Sequence, residues 1–148
     1  MANNVSDSQD KILNALKDGK FHSGESLGEL LGVSRTAVWK QLQKLEEIGL
    51  QVESVKGTGY RVVNGIDLLV KDDITVHLRD RNRNEPRSIE LFQSLGSTNK
   101  YLREQAEKSD CSGSVVLAER QTSGRGRRGK AWVSPFAANI YMSILWDF

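Results

Sequence analysis

Residues 23–49 read Ser23-Gly-Glu-Ser-Leu-Gly-Glu-Leu-Leu-Gly-Val-Ser-Arg-Thr-Ala-Val-Trp-Lys-Gln-Leu-Gln-Lys-Leu-Glu-Glu-Ile-Gly49. Ser23 is a good N-cap, and Leu27, Leu30 and Leu31 make the apolar stripe of a helix. Gly32-Val33-Ser34 is a tight turn. Gly32 supplies a left-handed residue, Val33 is expected to plug the core, and Ser34 caps the next helix. That helix is expected over about Arg35 to Ile48, with Gly49 as its stop. Val38, Leu42, Leu45 and Ile48 recur at helical spacing and should face inward. The other face carries Arg35, Thr36, Trp39, Lys40, Gln43 and Lys44. Helix, short turn with glycine, helix is the helix-turn-helix pattern, whose second helix enters the major groove with its first residues at base edges. Arg, Thr, Lys and Gln are side chains that read bases and hold phosphates. A plain three-helix unit with a solvated polar face fits the same periodicity.

The flanks favour DNA binding. Residues 8–17 read as a short helix, capped by Asp7 or Ser8, with Ile12, Leu13 and Leu16 as its stripe and Asp18-Gly19 as its end. Phe21 leads into Ser23. After Gly49, Gln51 to Val55 alternates, Lys56-Gly-Thr-Gly59 turns, and Tyr60 to Val63 returns, which predicts a β-hairpin. A hairpin directly after the recognition helix is the wing of a winged helix. Lys56 and Thr58 at its tip are candidates to touch phosphate or the minor groove. Trp39 either joins the DNA face or packs against the wing. Asn64-Gly65-Ile66 reads as a boundary, giving domains at 1–64 and 65–148.

The chain has 148 residues, 38% hydrophobic and 27% charged, enough for one average or two small domains. No apolar run approaches the ~20 residues a membrane span needs. The start, Met1 to Asp7, lacks a basic region and an apolar core, so no signal peptide is expected, and the cytoplasm is the expected compartment. With Cys111 the one cysteine and His22 and His77 the two histidines, neither an internal disulfide nor a zinc cluster is expected. Residues 1–64 carry eight Lys/Arg and eight Asp/Glu. A neutral first half binds DNA weakly through counterion release, so a local face, used by a dimer, is the expected mode.

In the second half a short helix is expected within Ile66 to Leu78, with Asp72-Asp73 near a turn, then an exposed loop from Arg79 to Pro86. Ser88 to Leu95 reads as a strand. Gly96-Ser97-Thr98-Asn99 turns into a helix reaching about Lys108, capped by Ser97 or Thr98; its N-terminus points free N–H groups forward. Ser114 to Glu119 reads as a buried strand, and Asn139 to Trp146 as another, with Ile140, Met142 and Ile144 alternating against Tyr141 and Ser143.

The buried strand delivers the chain into Gln121-Thr-Ser-Gly-Arg-Gly-Arg-Arg-Gly-Lys-Ala-Trp132. Between Arg120 and Lys130 lie five cations, three glycines and no acid. Gly124, Gly126 and Gly129 are expected to take positive φ and let the backbone approach a ligand. The arginines offer planar forks for phosphate or carboxylate. Trp132 adds a flat apolar face for a base. Such a loop suits an anion, although a solvated basic loop has the same composition. Facing the helix N-terminus at the ends of neighbouring elements, it makes a plausible small-molecule site.

A winged helix, then Gly96-Ser97-Thr98-Asn99, then the Arg/Gly/Trp run from Glu119 to Trp132, resembles the bacterial bifunctional biotin–protein ligases that also repress the biotin operon. The resemblance covers essentially all of the chain but only the first part of the family's length. It implies an α+β fold: an N-terminal winged helix-turn-helix, then the truncated start of a mixed α/β ligase domain of the class II aminoacyl-tRNA synthetase/biotin ligase type. It further implies that biotin and ATP, with Mg²⁺ assisting, give biotinyl-AMP and pyrophosphate, and that the biotinyl group passes to a lysine of biotin carboxyl carrier protein. Carried over by motif, Ser97, Thr98, Asn99, Gln121, Arg125, Gly126 and Arg127 would hold biotin. Arg127, Arg128 and Trp132 would hold the adenylate, with Arg127 the catalytic residue. Ligand binding would promote a homodimer that grips the biotin operator through both winged helices, with Ser34, Arg35, Thr36, Trp39, Lys40, Gln43, Lys44, Lys56 and Thr58 at the DNA. The family's further sheet and helix, its lysine motif and its C-terminal β domain have no counterpart in these residues. Ala131 stands where the family often has a basic residue. The rival readings are a DNA-binding regulator without catalysis and a non-functional fragment.

Overall fold

The structure, a computed structural model, describes residues 7–81, 85–130 and 132–147. They divide into two compact units that part between Leu68 and Leu69. The expected boundary after Asn64 thus shifts by four residues. The cause is local: Ile66 N–H donates to Lys17 O at 2.9 Å, tying the connector to the end of the first helix.

The first unit is a winged helix. It consists of α1 (Asp7–Leu16), α2 (Gly24–Leu31), α3 (Arg35–Glu47), β1 (Val52–Val55) and β2 (Gly59–Val62). Its core is Ile12, Leu13 and Leu16 of α1, Leu27 of α2, Val38, Leu42 and Leu45 of α3, and Val62 of the wing. Both expected caps form: Ser23 Oγ accepts the Ser26 N–H at 3.0 Å, and Ser34 Oγ accepts the Ala37 N–H at 3.3 Å. Each replaces a missing intrahelical partner. Gly32 is left-handed, with φ 65°. One residue of α2 and one of the turn differ from expectation. Leu30 and Val33 are 52% and 36% exposed, so neither fills the core. The tightness of the turn rests instead on Gly28, where a Cβ would lie 2.9 Å from the Val33 carbonyl oxygen.

The hairpin pairs Val52 with Val62 through Val55 with Gly59. A third strand segment, unread in the sequence, joins it: His22 N–H donates to Tyr60 O at 2.8 Å, and Tyr60 N–H to His22 O at 2.9 Å. Gly59, at φ 127°, lies against the His22 carbonyl where no side chain fits. Arg61 pairs with Glu53 and sits 4.6 Å from the centre of the Phe21 ring, fastening the wing to the same segment.

The second unit holds α4 (Lys71–Asp80), β3 (Ser88–Phe92), α5 (Thr98–Ala106), β4 (Ser114–Ala118), a 3-10 turn at Arg127–Gly129 and β5 (Tyr141–Ile144). The sheet order is β3-β4-β5, with β3 and β4 parallel and β5 antiparallel to β4. Every residue of β4 is buried, as expected of a central strand. On one face Val116 and Ala118 pack with Leu95, Leu102 and Tyr141. On the other Val115, Leu117 and Ile89 pack with Leu69, Ile74 and Leu78. Helix α5 therefore covers the first face and α4 the second. Helix α4 is longer than expected: it takes Asp72 and Asp73 into its first turn, where they suit the dipole, and it absorbs the start of the expected loop. Residues 82–84 of that loop lie outside the described residues.

In β5 the expected alternation is present, and its polar set faces inward. Tyr141 is buried and Ser143 half-buried, while Ile140, Met142 and Ile144 are 70%, 52% and 55% exposed. Hydrogen bonding decides this. Tyr141 donates its hydroxyl hydrogen to Pro135 O at 3.0 Å, and Ser143 meets Thr98 of α5. Among the described residues no helix is long and apolar enough to cross a membrane.

Glu119, at the end of β4, is 3% exposed. Its Oε1 accepts the Leu69 N–H at 2.6 Å, a hydrogen bond that offsets part of the cost of burying a carboxylate. Tyr101 of α5 donates to Glu90 Oε2 at 2.8 Å and meets the Phe92 ring edge-on at 5.1 Å. Burial, helped by the Glu90 carboxylate, pushes the Tyr101 hydroxyl up to about 12.

Two outcomes are expected. Gly59→Val should cost about 2 kcal/mol or more in chemical denaturation, because it strains φ and collides with His22; an unchanged midpoint would contradict the packing. Tyr101 is neutral in the fold at pH values where an exposed tyrosine ionises. Its contribution is therefore complete below the ordinary value of 10.0 and is lost as pH rises through about 12. A spectrophotometric titration should show a phenol ionising near 12 that Tyr101→Phe removes.

Candidate ligand site and nucleic-acid face

Because β3 and β4 are parallel neighbours, their C-terminal ends lie at one edge of the sheet. The chain leaving β3 enters α5, and the chain leaving β4 enters the glycine-arginine loop. The two exits stay paired beyond the strands. Leu95 N–H donates to Arg120 O at 3.0 Å, Thr122 N–H to Leu95 O at 2.9 Å, and Ser123 N–H to Gly96 O at 2.8 Å. Gly96 permits this approach, since a Cβ there would lie 3.1 Å from Ser123 Oγ.

One side chain spans the two exits. Gln121 Oε1 accepts the Thr98 N–H at 2.8 Å and the Thr98 hydroxyl at 3.2 Å. Thr98 is 3% exposed, and its hydroxyl also meets Ser143 Oγ at 2.9 Å. Ser97 Oγ caps α5 by accepting the Lys100 N–H at 3.4 Å. An open cavity of ≈ 590 Å³ lies beside these residues, lined by Ser97, Asn99, Ser123 and Arg125 together with Lys100, Arg103 and Glu104 of α5 and Glu107 at its end. Of the expected ligand residues, the structure thus gathers Ser97, Thr98, Asn99, Gln121 and Arg125. Lys100 and Arg103 escaped the sequence reading. Their spacing of three on one helix face, starting just after the cap, was the available signal.

The rest of the loop folds on itself. Gly126 N–H donates to Lys130 O at 3.0 Å, and a Cβ on Gly126 would lie 2.8 Å from that oxygen. Gly124 backs onto Trp132, where a Cβ would lie 2.6 Å from the ring's Cδ1. These two glycines therefore serve close approach. Neither takes the expected positive φ; Arg128 does, at φ 58° and ψ 35°. Arg127 and Arg128 are exposed and do not line the cavity, and Trp132 is half-exposed against its own loop. Among the described residues Arg125, Arg127 and Arg128 form no ion pair, so their charge is available to an anion.

On the first unit, Arg35, Thr36, Trp39, Lys40, Gln43 and Lys44 are all exposed on α3. Half of the Trp39 surface is open. Lys56 and Thr58 are exposed at the wing tip. Ser34 is exposed too, with its hydroxyl engaged in capping α3. Helix α3 thus presents cations and amide side chains on one polar face.

Among the described residues no group of three or more His, Cys, Asp or Glu is placed to hold a metal ion.

Comparison with known proteins agrees with this division. Residues 8–61 match an HTH domain, and residues 91–148 match the biotin/lipoate A/B protein ligase family. The chain is 42% identical over 135 residues to the bifunctional ligase/repressor BirA of Salmonella typhimurium strain LT2, covering 91% of this chain and 40% of that protein. It is 41% identical over 136 residues to the BirA of Escherichia coli strain K12, covering 92% and 40%. Against the BirA of Bacillus subtilis strain 168 it is 33% identical over 126 residues, covering 85% and 38%. The chain spans about two-fifths of the length of these relatives. Along most of its residues the chain is thus similar to these bifunctional ligase/repressors, with a match to an HTH domain followed by a match to the biotin/lipoate A/B protein ligase family.

Proposed function

We propose that these residues serve a biotin–protein ligase that is also a biotin-dependent repressor. The observation that carries the reading is the Thr98–Gln121 pairing, which sets the α5 N-terminus and the glycine-arginine loop on one site. The reaction has two steps. A biotin carboxylate oxygen attacks the α-phosphorus of ATP, the bond to the β-phosphate breaks, and pyrophosphate leaves. A lysine amine of biotin carboxyl carrier protein then attacks the carbonyl of the mixed anhydride, and AMP leaves.

In this reading Ser97, Thr98, Asn99 and Gln121 hold biotin by hydrogen bonds, and Arg125, Gly126 and Arg127 close over it. Arg127 and Arg128 neutralise phosphate charge as it develops, and Trp132 covers the adenine. Closure excludes water, which protects the anhydride from hydrolysis. Mg²⁺ would arrive with the nucleotide phosphates, the usual habit of an ion that keeps its waters.

Two winged helices in a ligand-promoted homodimer would grip the biotin operator. Each half-site is weak because residues 1–64 carry no net charge, and linking two of them raises affinity through effective concentration. The protein acts in the cytoplasm, where operator, carrier and ATP meet.

The ligase reading is tested by incubating the chain, and a polypeptide of the relatives' length, with biotin and α-labelled ATP. Arg127→Gly should shorten the retention of biotinyl-AMP roughly tenfold or more. Unchanged retention would place the phosphate contacts elsewhere. The repressor reading is tested by Arg35→Ala with Lys40→Ala, which should weaken operator binding by about tenfold or more. Operator binding indifferent to biotin and ATP would favour a regulator without catalysis.

A further inference from the structure

We infer that Ser143 is a positioning residue of the ligand site: it heads a chain of hydrogen bonds that orients the Gln121 carboxamide, so that Gln121 offers the ligand donors and no acceptor. The inference rests on the small-molecule reading of the site given above.

The polarity of the chain follows from what each atom can do. The Thr98 backbone N–H only donates, so the Gln121 atom 2.8 Å from it must be the carboxamide oxygen. A carboxamide oxygen only accepts, so the Thr98 hydroxyl, 3.2 Å away, donates to it. A hydroxyl has a single hydrogen. With that hydrogen spent on Gln121, Thr98 Oγ1 accepts from Ser143 Oγ at 2.9 Å. The direction is therefore Ser143 to Thr98 to Gln121. Distances alone leave the donor of the last pair open, and the neighbouring backbone group closes the question.

The Gln121 amide nitrogen is thereby turned toward the glycine-arginine loop. A Cβ on Gly124 would lie 3.4 Å from that nitrogen and 2.6 Å from the Trp132 ring. The amide thus faces the same narrow space that the loop and the indole border. A ligand group that reaches this amide from the loop side meets N–H donors, which select a carbonyl or another acceptor. Ser143 reaches this network because β5 pairs it with Val116, on the face that α5 covers. An apolar residue would pack there equally well and would leave Thr98 free to turn its hydroxyl.

The test uses the full chain, isotope-labelled, as wild type, Ser143→Ala and Ser143→Thr. Two quantities are read: hydrogen exchange of the Thr98 N–H, and the dissociation constant for biotin by titration. Loss of one neutral hydrogen bond should speed Thr98 exchange by about three- to tenfold and weaken biotin by a similar factor, while exchange in β4 stays as it was. Ser143→Thr, which keeps the hydroxyl, should restore both. Unchanged Thr98 exchange in Ser143→Ala, or a threonine variant as impaired as the alanine one, overturns the inference. A wild-type chain that binds no biotin overturns the ligand reading instead, and the exchange data still decide the orienting role of Ser143.

Discussion

One carboxamide oxygen holds the candidate ligand site together. Gln121 Oε1 takes both the backbone and the side-chain donor of Thr98, so two loops with no covalent proximity share a fixed geometry. That interaction depends on a topological fact. Parallel pairing of β3 with β4 brings both C-terminal ends to one edge, where open α/β sheets place their ligands. With Thr98 buried, the donors it spends on Gln121 have little water to fall back on, which makes the pairing costly to break.

The same sheet ties the site to its surroundings. Glu119, two residues before Gln121, accepts the Leu69 N–H at the start of the second unit. Its own N–H donates to Phe92 O at 2.9 Å, and its carbonyl receives the Ala137 N–H at 3.1 Å. The segments before α4, after β3 and before β5 thus meet at one buried residue. The glycine-arginine loop leaves this anchored point, and Arg127 and Arg128 within it are exposed.

The sequence was most legible where structure is set by neighbours in the chain. The caps Ser23 and Ser34, the left-handed Gly32, and the stripe Val38, Leu42 and Leu45 are local choices, and they stand as read. Longer-range pairings were not legible. His22 became a strand partner because Tyr60 returns to it from the far side of the helices. In β5 the alternation of Ile140, Met142 and Ile144 against Tyr141 and Ser143 was legible, but its inward face was not: Tyr141 and Ser143 turn inward, where their hydroxyls meet Pro135 and Thr98. At the site, Ser97, Thr98 and Gln121 were visible as a cap and a motif. Ser143 was invisible, because only the register with Val116 brings it beside Thr98. Glycines in the loop were expected to bend it, and two of them instead make room for Trp132 and Lys130.

On the function proposed, the α5 N-terminus and the glycine-arginine loop form one site for a biotinyl nucleotide. A crystal structure of the chain grown with biotinyl-5′-AMP tests it most directly. The expected result is the biotinyl group beside Thr98 and Gln121 with the phosphate against the loop arginines. Ligand bound away from Thr98 and Gln121, or a site that stays empty at saturating ligand, would contradict it.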